Sequence, residues 1–223
     1  MCTNNKGILV VVSGFSGAGK GTVMKGLMEK YGENYSLSVS ATTRHPRPNE
    51  IHGVHYFFVS NEEFESMIEN DELIEHAGYV DHYYGTPKKY VEDQLSSGKN
   101  VILEIEMQGG FQVKKKYPNT IMMFVSAPDA NEQKNRLVGR GTETKDVIDA
   151  RLRRAYEESM EMDKYDYLVI NDNLECCIDS VHEMLMNEYY GRKELNDQYR
   201  MSSNIDFINK MKTELFEYSK GEQ

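Results

Sequence analysis

The sequence predicts an α/β fold built on a parallel sheet, and three observations carry that prediction. The run Gly7-Ile8-Leu9-Val10-Val11-Val12-Ser13 is continuously apolar and leads into the glycine-rich stretch GFSGAGKGT. An unbroken apolar run suits a strand buried on both faces, as in a parallel sheet covered by helices. Further runs of this kind at 100–106 (NVILEIE), 120–125 (TIMMFV) and 167–170 (YLVI) alternate with helical spacing at 111–117, 130–139, 145–162 and 175–190. Strands alternating with helices are the pattern of an α/β domain. The texture changes between Tyr35 and Tyr84, where VHYFFV and ELIEHAGYV surround one helix introduced by Ser60-Asn61-Glu62-Glu63. That is a capping-box pattern, and the segment reads as a small mixed lobe inserted into the core.

The 223 residues suffice for one sizeable core and fall short of two ordinary domains. With 28% charged and 39% hydrophobic residues the chain reads as globular. No apolar run approaches the roughly 18–20 residues that span a bilayer, and the first six residues lack the apolar core of a secretion signal. Cys2, Cys176 and Cys177 have no zinc-like spacing, and adjacent cysteines rarely bridge, so free thiols in a reducing cytoplasm are expected. The net charge of −10 argues against nucleic-acid or acidic-membrane partners. Small phosphate compounds stay open, because basic residues cluster locally at Arg44, His45 and Arg47 and at Arg136, Arg140, Arg151, Arg153 and Arg154. Lys114-Lys115-Lys116 reads as a solvated helix end.

The stretch Gly14-Phe15-Ser16-Gly17-Ala18-Gly19-Lys20-Gly21-Thr22 follows the predicted strand, and apolar Val23, Leu27 and Met28 continue it as a helix. Strand, glycine loop and helix form the setting of a phosphate-binding loop, whose backbone N–H groups and helix N-terminus cradle anions. Lys20 would neutralise the terminal phosphates of a nucleoside triphosphate. Gly21 stands where the usual pattern has a hydroxyl that contacts Mg²⁺, and Thr22 is displaced by about 100° around the helix. The ion is then expected on phosphates, waters and a carboxylate, with Thr22, Glu104 and Glu106 as candidates. Glu104 and Glu106, two apart on one predicted strand, are expected on one face.

In Ser40-Ala41-Thr42-Thr43-Arg44-His45-Pro46-Arg47-Pro48-Asn49-Glu50, Pro46 disfavours a helix. The segment therefore reads as extended, presenting two guanidinium groups to one anion. Tyr56 and Tyr84 are candidate hydroxyl donors to that anion.

The run SATTRHPRPNEIHGVHYFF, followed by ELIEHAGYVDHYYGTP, VILEIEMQG and GRGTET, resembles the guanylate kinase family in order and spacing, over about 6–190. The resemblance implies a P-loop nucleoside-monophosphate-kinase fold: a parallel five-stranded core sheet flanked by helices, an inserted mixed α/β GMP-binding lobe, and a helical lid. It implies the boundaries 1–38 and 87–190 for the core, 39–86 for the lobe and about 139–160 for the lid. Residues 191–223 form an extension, helical where Ile205, Ile208, Met211, Leu215 and Phe216 recur. The implied reaction moves the γ-phosphoryl of ATP, with Mg²⁺, to GMP or dGMP, in guanine nucleotide supply and recycling. Monomer and homodimer both stay open.

By matching position, the resemblance puts Arg44, Arg47, Tyr56 and Tyr84 on the GMP phosphate, and Ser40, Glu75, Thr86 and Glu106 on guanine. It puts residues 14–22, Arg140 and Asn171 on ATP, with Lys20, Arg44, Arg140 and Arg151 catalytic. The chemistry is consistent with this. Guanine offers N1–H and N2 donors to a carboxylate such as Glu75, and O6 to the Ser40 or Thr86 hydroxyl; adenine reverses that edge. Arg153 and Arg154 are expected to pair with Glu157 and Glu158 on the surface, while Arg140, between Gly139 and Gly141, and Arg151 reach the transferring phosphate.

Two departures stand out: Gly21, and Glu106 where the family commonly has aspartate. The order Gly21-Thr22 also occurs in adenylate kinases, but the arginine–proline–arginine segment and Glu75 favour guanylate. Guanylate-kinase-like peptide-binding modules typically lack an intact phosphate loop, whereas Lys20, Arg44 and Arg47 are all present here.

Overall fold

The computed structural model describes residues 6–79, 81–139, 141 and 144–220. Five strands hydrogen-bond in the order β2-β7-β1-β8-β9: β1 (Leu9–Gly14), β2 (Tyr35–Leu37), β7 (Asn100–Glu104), β8 (Ile121–Ser126) and β9 (Tyr167–Ile170). Registers such as Tyr35 with Asn100 and Met123 with Tyr167 are parallel. The fold class is the one expected from the sequence. β1 and β8 are apolar over 9–12 and 121–125, with only Ser13 and Ser126 as buried polar positions near their ends, because both faces are covered.

The chain divides into two compact units, Met1–Val11 with Gly32–Ile121, and Val12–Tyr31 with Met122–Gln223. The first holds a second sheet, ordered β4-β3-β6-β5, from β3 (Ala41–Thr42), β4 (Phe57–Phe58), β5 (Leu73–Tyr79) and β6 (His82–Pro87). Helix α2 (Asn61–Glu69) starts at the expected capping box: Glu63 N–H donates to Ser60 Oγ at 3.1 Å, and Ser60 N–H to Glu63 Oε2 at 2.7 Å. Its Phe64 packs with Ala41 and Leu73, against Phe57, Val59, Met67 and Ile68. The unit also contains α3 (Lys88–Ser96) and α4 (Met107–Lys116).

Particular expectations need correction. VHYFFV is strand only at Phe57–Phe58, because Gly53 at φ 77° turns the chain just before it. α3 was not foreseen; it buries only Val91 and Leu95, a stripe too thin to read as a period. The lysines ending α4 are not simply solvated: Lys114 donates to Thr120 O at 2.7 Å, and Lys116 to Leu73 O at 3.2 Å.

The second unit contains α1 (Lys20–Tyr31), α5 (Ala130–Gly139), α6 (Lys145–Ser159), α7 (Leu174–Tyr189) and α8 (Ile205–Ser219). Phe15 and Phe124 meet edge-to-face at 4.8 Å in its core. The polar stretch after α7 forms 3-10 turns at Lys193–Tyr199 and Met201–Ser203. Buried Asn196 pins it, donating to Met184 O at 2.9 Å and accepting from Asn187 at 3.1 Å. Cys176 is exposed and Cys177 buried, both as free thiols; burial pushes Cys177 up to about 11. Cys2 lies outside the described residues.

Candidate active site

The loop between β1 and α1 is shaped by glycines. Gly19 has φ +86°, and a Cβ there would stand 2.5 Å from Asn171 Nδ2; at Gly14 it would collide with the Val125 carbonyl. Lys20 opens α1, and its ammonium donates to the carbonyl of Gly14 and, at 3.3 Å, to that of Phe15. Side chains hold the loop from outside by its carbonyls. Asn171 Nδ2 donates to Ala18 O at 2.9 Å, and Gln133 Nε2 to Ser16 O at 3.1 Å. Arg136 donates to Asn171 O at 2.9 Å and Ala18 O at 3.4 Å, while Glu132 accepts from its Nε at 2.8 Å. Arg151 donates to Ser16 Oγ at 2.6 Å. A turn whose carbonyls are so engaged is a pre-shaped cradle for phosphate at a helix N-terminus.

Of the arginine cluster, then, Arg151 reaches the loop, whereas Arg154 pairs with Glu158 at 3.0 Å and Arg153 is exposed. Arg140 lies outside the described residues. Asn171 is buried, and its amide nitrogen is used in supporting the loop. Gln133 and Arg136 are loop supports that the sequence does not single out as site residues. Arg136 had a signal in the basic cluster, whereas a single glutamine buried on a helix has none.

In the other unit, β5 and β6 pair antiparallel with a register shift between Leu73 and His76, so Ile74 and Glu75 together oppose Thr86. That extra residue lets both be buried, although they are consecutive on a strand. Glu75 is 5% exposed and accepts from Thr86 Oγ1 at 2.7 Å. Burial pushes its carboxyl above the ordinary range, and the hydroxyl and backbone of Thr86 act against that. Gly109 of α4 leaves room beside it, since a Cβ there would lie 2.7 Å from Glu75 Oε2.

Of the residues expected to hold an anion, Tyr56 and Tyr84 lie near Arg44. Its guanidinium lies 5.5 Å from the ring centre of Tyr56 and 5.8 Å from that of Phe58, and donates to Glu50 Oε1 at 2.9 Å and His45 O at 2.7 Å. Burial works against the charge, but Glu50 and then Tyr84 outweigh it and hold the group firmly protonated. Tyr56 and Tyr84 meet at 6.1 Å, and burial raises the Tyr56 phenol. Arg47 is exposed, with its backbone N–H on Glu50 Oε2 at 2.7 Å. Glu50 thus closes the loop of both arginines, a role the sequence candidates missed. Asn49 at φ 70° makes the turn that brings it back. Ser40 precedes β3, and its carbonyl accepts from Phe57 N–H at 2.9 Å.

Among the described residues no group of three or more His, Cys, Asp or Glu could hold a metal by itself. Thr22 is exposed on the first turn of α1. Glu104 ends β7, but Glu106 has left the strand for the N-cap position of α4, so strand alternation does not relate them as the sequence suggested. Both carboxylates are exposed, which suits contact with a hydrated ion more than a closed cage.

Comparison with known proteins agrees with this geometry. The sequence model of the family described as guanylate kinase matches residues 6–188. The guanylate kinase of Halalkalibacterium halodurans is 46% identical over 201 residues, 90% of this chain and 98% of that one. That of Bacillus cereus (strain ZK / E33L) is 48% identical over 197 residues, 88% and 96% of the two chains. The crystal structure of guanylate kinase from Anaplasma phagocytophilum superposes with a TM-score of 0.66 at 31% identity, covering 83% of this chain and 87% of that one. A phosphate loop on the first parallel strand, a lobe with a buried carboxylate, and likeness over most of the length converge: the chain belongs to the guanylate kinase family.

Proposed function

We propose that the chain transfers the γ-phosphoryl group of ATP to GMP and dGMP, releasing ADP and the guanine nucleoside diphosphate. The observation that carries the choice of acceptor is the buried Glu75 carboxylate, one oxygen braced by Thr86 and the other beside Gly109. Guanine offers that carboxylate two donors together, whereas adenine offers it none on that edge, and a buried acceptor left without its donor rejects an analogue by about 10⁴-fold or more.

In this reading Ser40, Thr86 and Glu106 complete the guanine contacts, with Glu106 reaching through water. Arg44, Arg47, Tyr56 and Tyr84 hold the acceptor phosphate, whose oxygen is already anionic and needs no strong general base. Residues 14–22, with Asn171 behind them, hold ATP, and Lys20, Arg140 and Arg151 surround the γ-phosphoryl with positive charge as it passes in line to the acceptor. Mg²⁺ accompanies ATP and supplies charge neutralisation, and the exposed carboxylates of Glu104 and Glu106 and the Thr22 hydroxyl suit its hydration shell. The organisation that goes with this is a core at 1–38 and 87–190, an acceptor lobe at 39–86, a lid at about 139–160 that closes over ATP, and an extension at 191–223. No helix among the described residues is long and apolar enough to cross a membrane, and a cytoplasmic setting fits the substrates.

The test is ADP release with ATP, Mg²⁺ and each nucleoside monophosphate in turn, beside a metal-free control and Lys20→Ala. Turnover confined to GMP and dGMP, lost in the control and the variant, is the expected result. Equal turnover with AMP would remove the guanine reading. No turnover with any acceptor would remove the transfer itself.

A further inference from the structure

Helix α8 lies beyond the family match, which ends at residue 188, yet it is tied to both helices that serve the phosphate loop. Its Ile208, Met211 and Leu215 form one buried stripe, and it packs against α6 far more extensively than α5 and α6 pack against each other. Phe216 meets Tyr156 of α6 at 5.3 Å. On the α5 side, Glu214 Oε2 accepts from the first-turn Ala130 N–H at 3.0 Å, Tyr218 OH donates to Asn131 at 3.4 Å, and Lys134 lies 4.9 Å from the Tyr218 ring centre. α5 brings Gln133 and Arg136 to the loop, and α6 brings Arg151. On α6, Arg151 stands beside the buried stripe Ile148, Leu152 and Ala155, so a shift of that stripe moves the guanidinium with it.

We propose that α8 is a positioning element for phosphoryl transfer, tying α6 to α5 so that Arg151 is held toward the phosphate loop. The inference rests on the reading of Arg151 as an arginine acting on the transferring phosphate. A helix that merely covered apolar surface would affect melting alone; one that positions Arg151 affects turnover through that residue.

The experiment is a double-mutant cycle in the full chain: Phe216→Ala, Arg151→Ala and the pair, each measured for kcat, KM for ATP and for GMP, and Tm. Phe216 is 42% exposed, so its truncation leaves the buried stripe in place. The expected result is a fall in kcat of about two- to tenfold for Phe216→Ala, the scale of a lost ring contact, with KM for GMP unchanged. In the Arg151→Ala background the same change costs nothing further. Falls that multiply, or a lowered Tm with unchanged kcat, would overturn the proposal. If Arg151→Ala alone leaves kcat unchanged, the reading of Arg151 fails, and the proposal with it. Should Phe216→Ala not fold, Tyr218→Ala cuts the α5 side of the tie and enters the same cycle.

Discussion

Glu75→Gln separates what the lobe needs for stability from what it needs for recognition. The carboxyl is 5% exposed, and its one oxygen at 2.7 Å from Thr86 Oγ1 keeps a partner when the side chain becomes an amide. The variant loses the charge and one acceptor. A carboxyl raised by burial holds its proton more tightly folded than unfolded, so the native state loses stability as pH rises from the ordinary 4.5 through the raised value. The full cost is present above that value and absent below the ordinary one. Glutamine is free of it, so the ligand-free variant should melt higher than the parent near neutrality, with the gain vanishing below pH 4.5. Recognition moves the other way. A hydrogen bond to a charged group is worth about 1.5–3 kcal/mol, and its loss should lower kcat/KM for GMP by roughly 10- to 150-fold while KM for ATP holds. The assays are melting against pH without nucleotide, and ADP release with GMP and AMP. A kcat/KM for GMP within twofold of the parent would refute the reasoning, because the buried carboxylate would then have no part in reading the base.

Three further outcomes follow from close approaches and from the arginine loop. Gly19→Ala places a Cβ 2.5 Å from Asn171 Nδ2 at φ +86°, so it should raise KM for ATP and lower Tm, measured together by kinetics and melting. Gly109→Ala gains helix propensity of about 1 kcal/mol but presses on Glu75 Oε2; KM for GMP should rise at least tenfold with little change in Tm, whereas a normal KM would deny the contact. Glu50→Gln keeps an acceptor for the Arg47 N–H and loses the ion pair with Arg44. Calorimetric titration should then show weaker GMP binding with guanosine binding unchanged, since only the phosphate side is loosened.

The sequence legible by itself was the part in which one residue type answers one local requirement. β1 and β8 are read from the apolar runs 9–12 and 121–125, because burial on both faces favours apolar side chains at consecutive positions. The phosphate loop is read from its glycines because no other residue takes Gly19's conformation so near another side chain. The α2 capping box is read because Ser60 and Glu63 satisfy each other over three residues. α3 and the two-residue β4 escaped, since each is too short to show a period.

Only the tertiary structure decided which distant residues serve one another. Glu75 and Thr86 could each be named as base contacts, but their mutual hydrogen bond depends on a register shift that no spacing announces. Arg151 and Arg154 sit three apart in one arginine run; the pair of Arg154 with Glu158 is legible from its i,i+4 spacing, but only packing brings Arg151 to Ser16. Gln133 supports Ser16 across more than a hundred residues of chain, and Asn171 supports Ala18 across still more. Local pattern fixes backbone conformation because its energy is local. A site is assembled by long-range packing, and its energy is written in the fold.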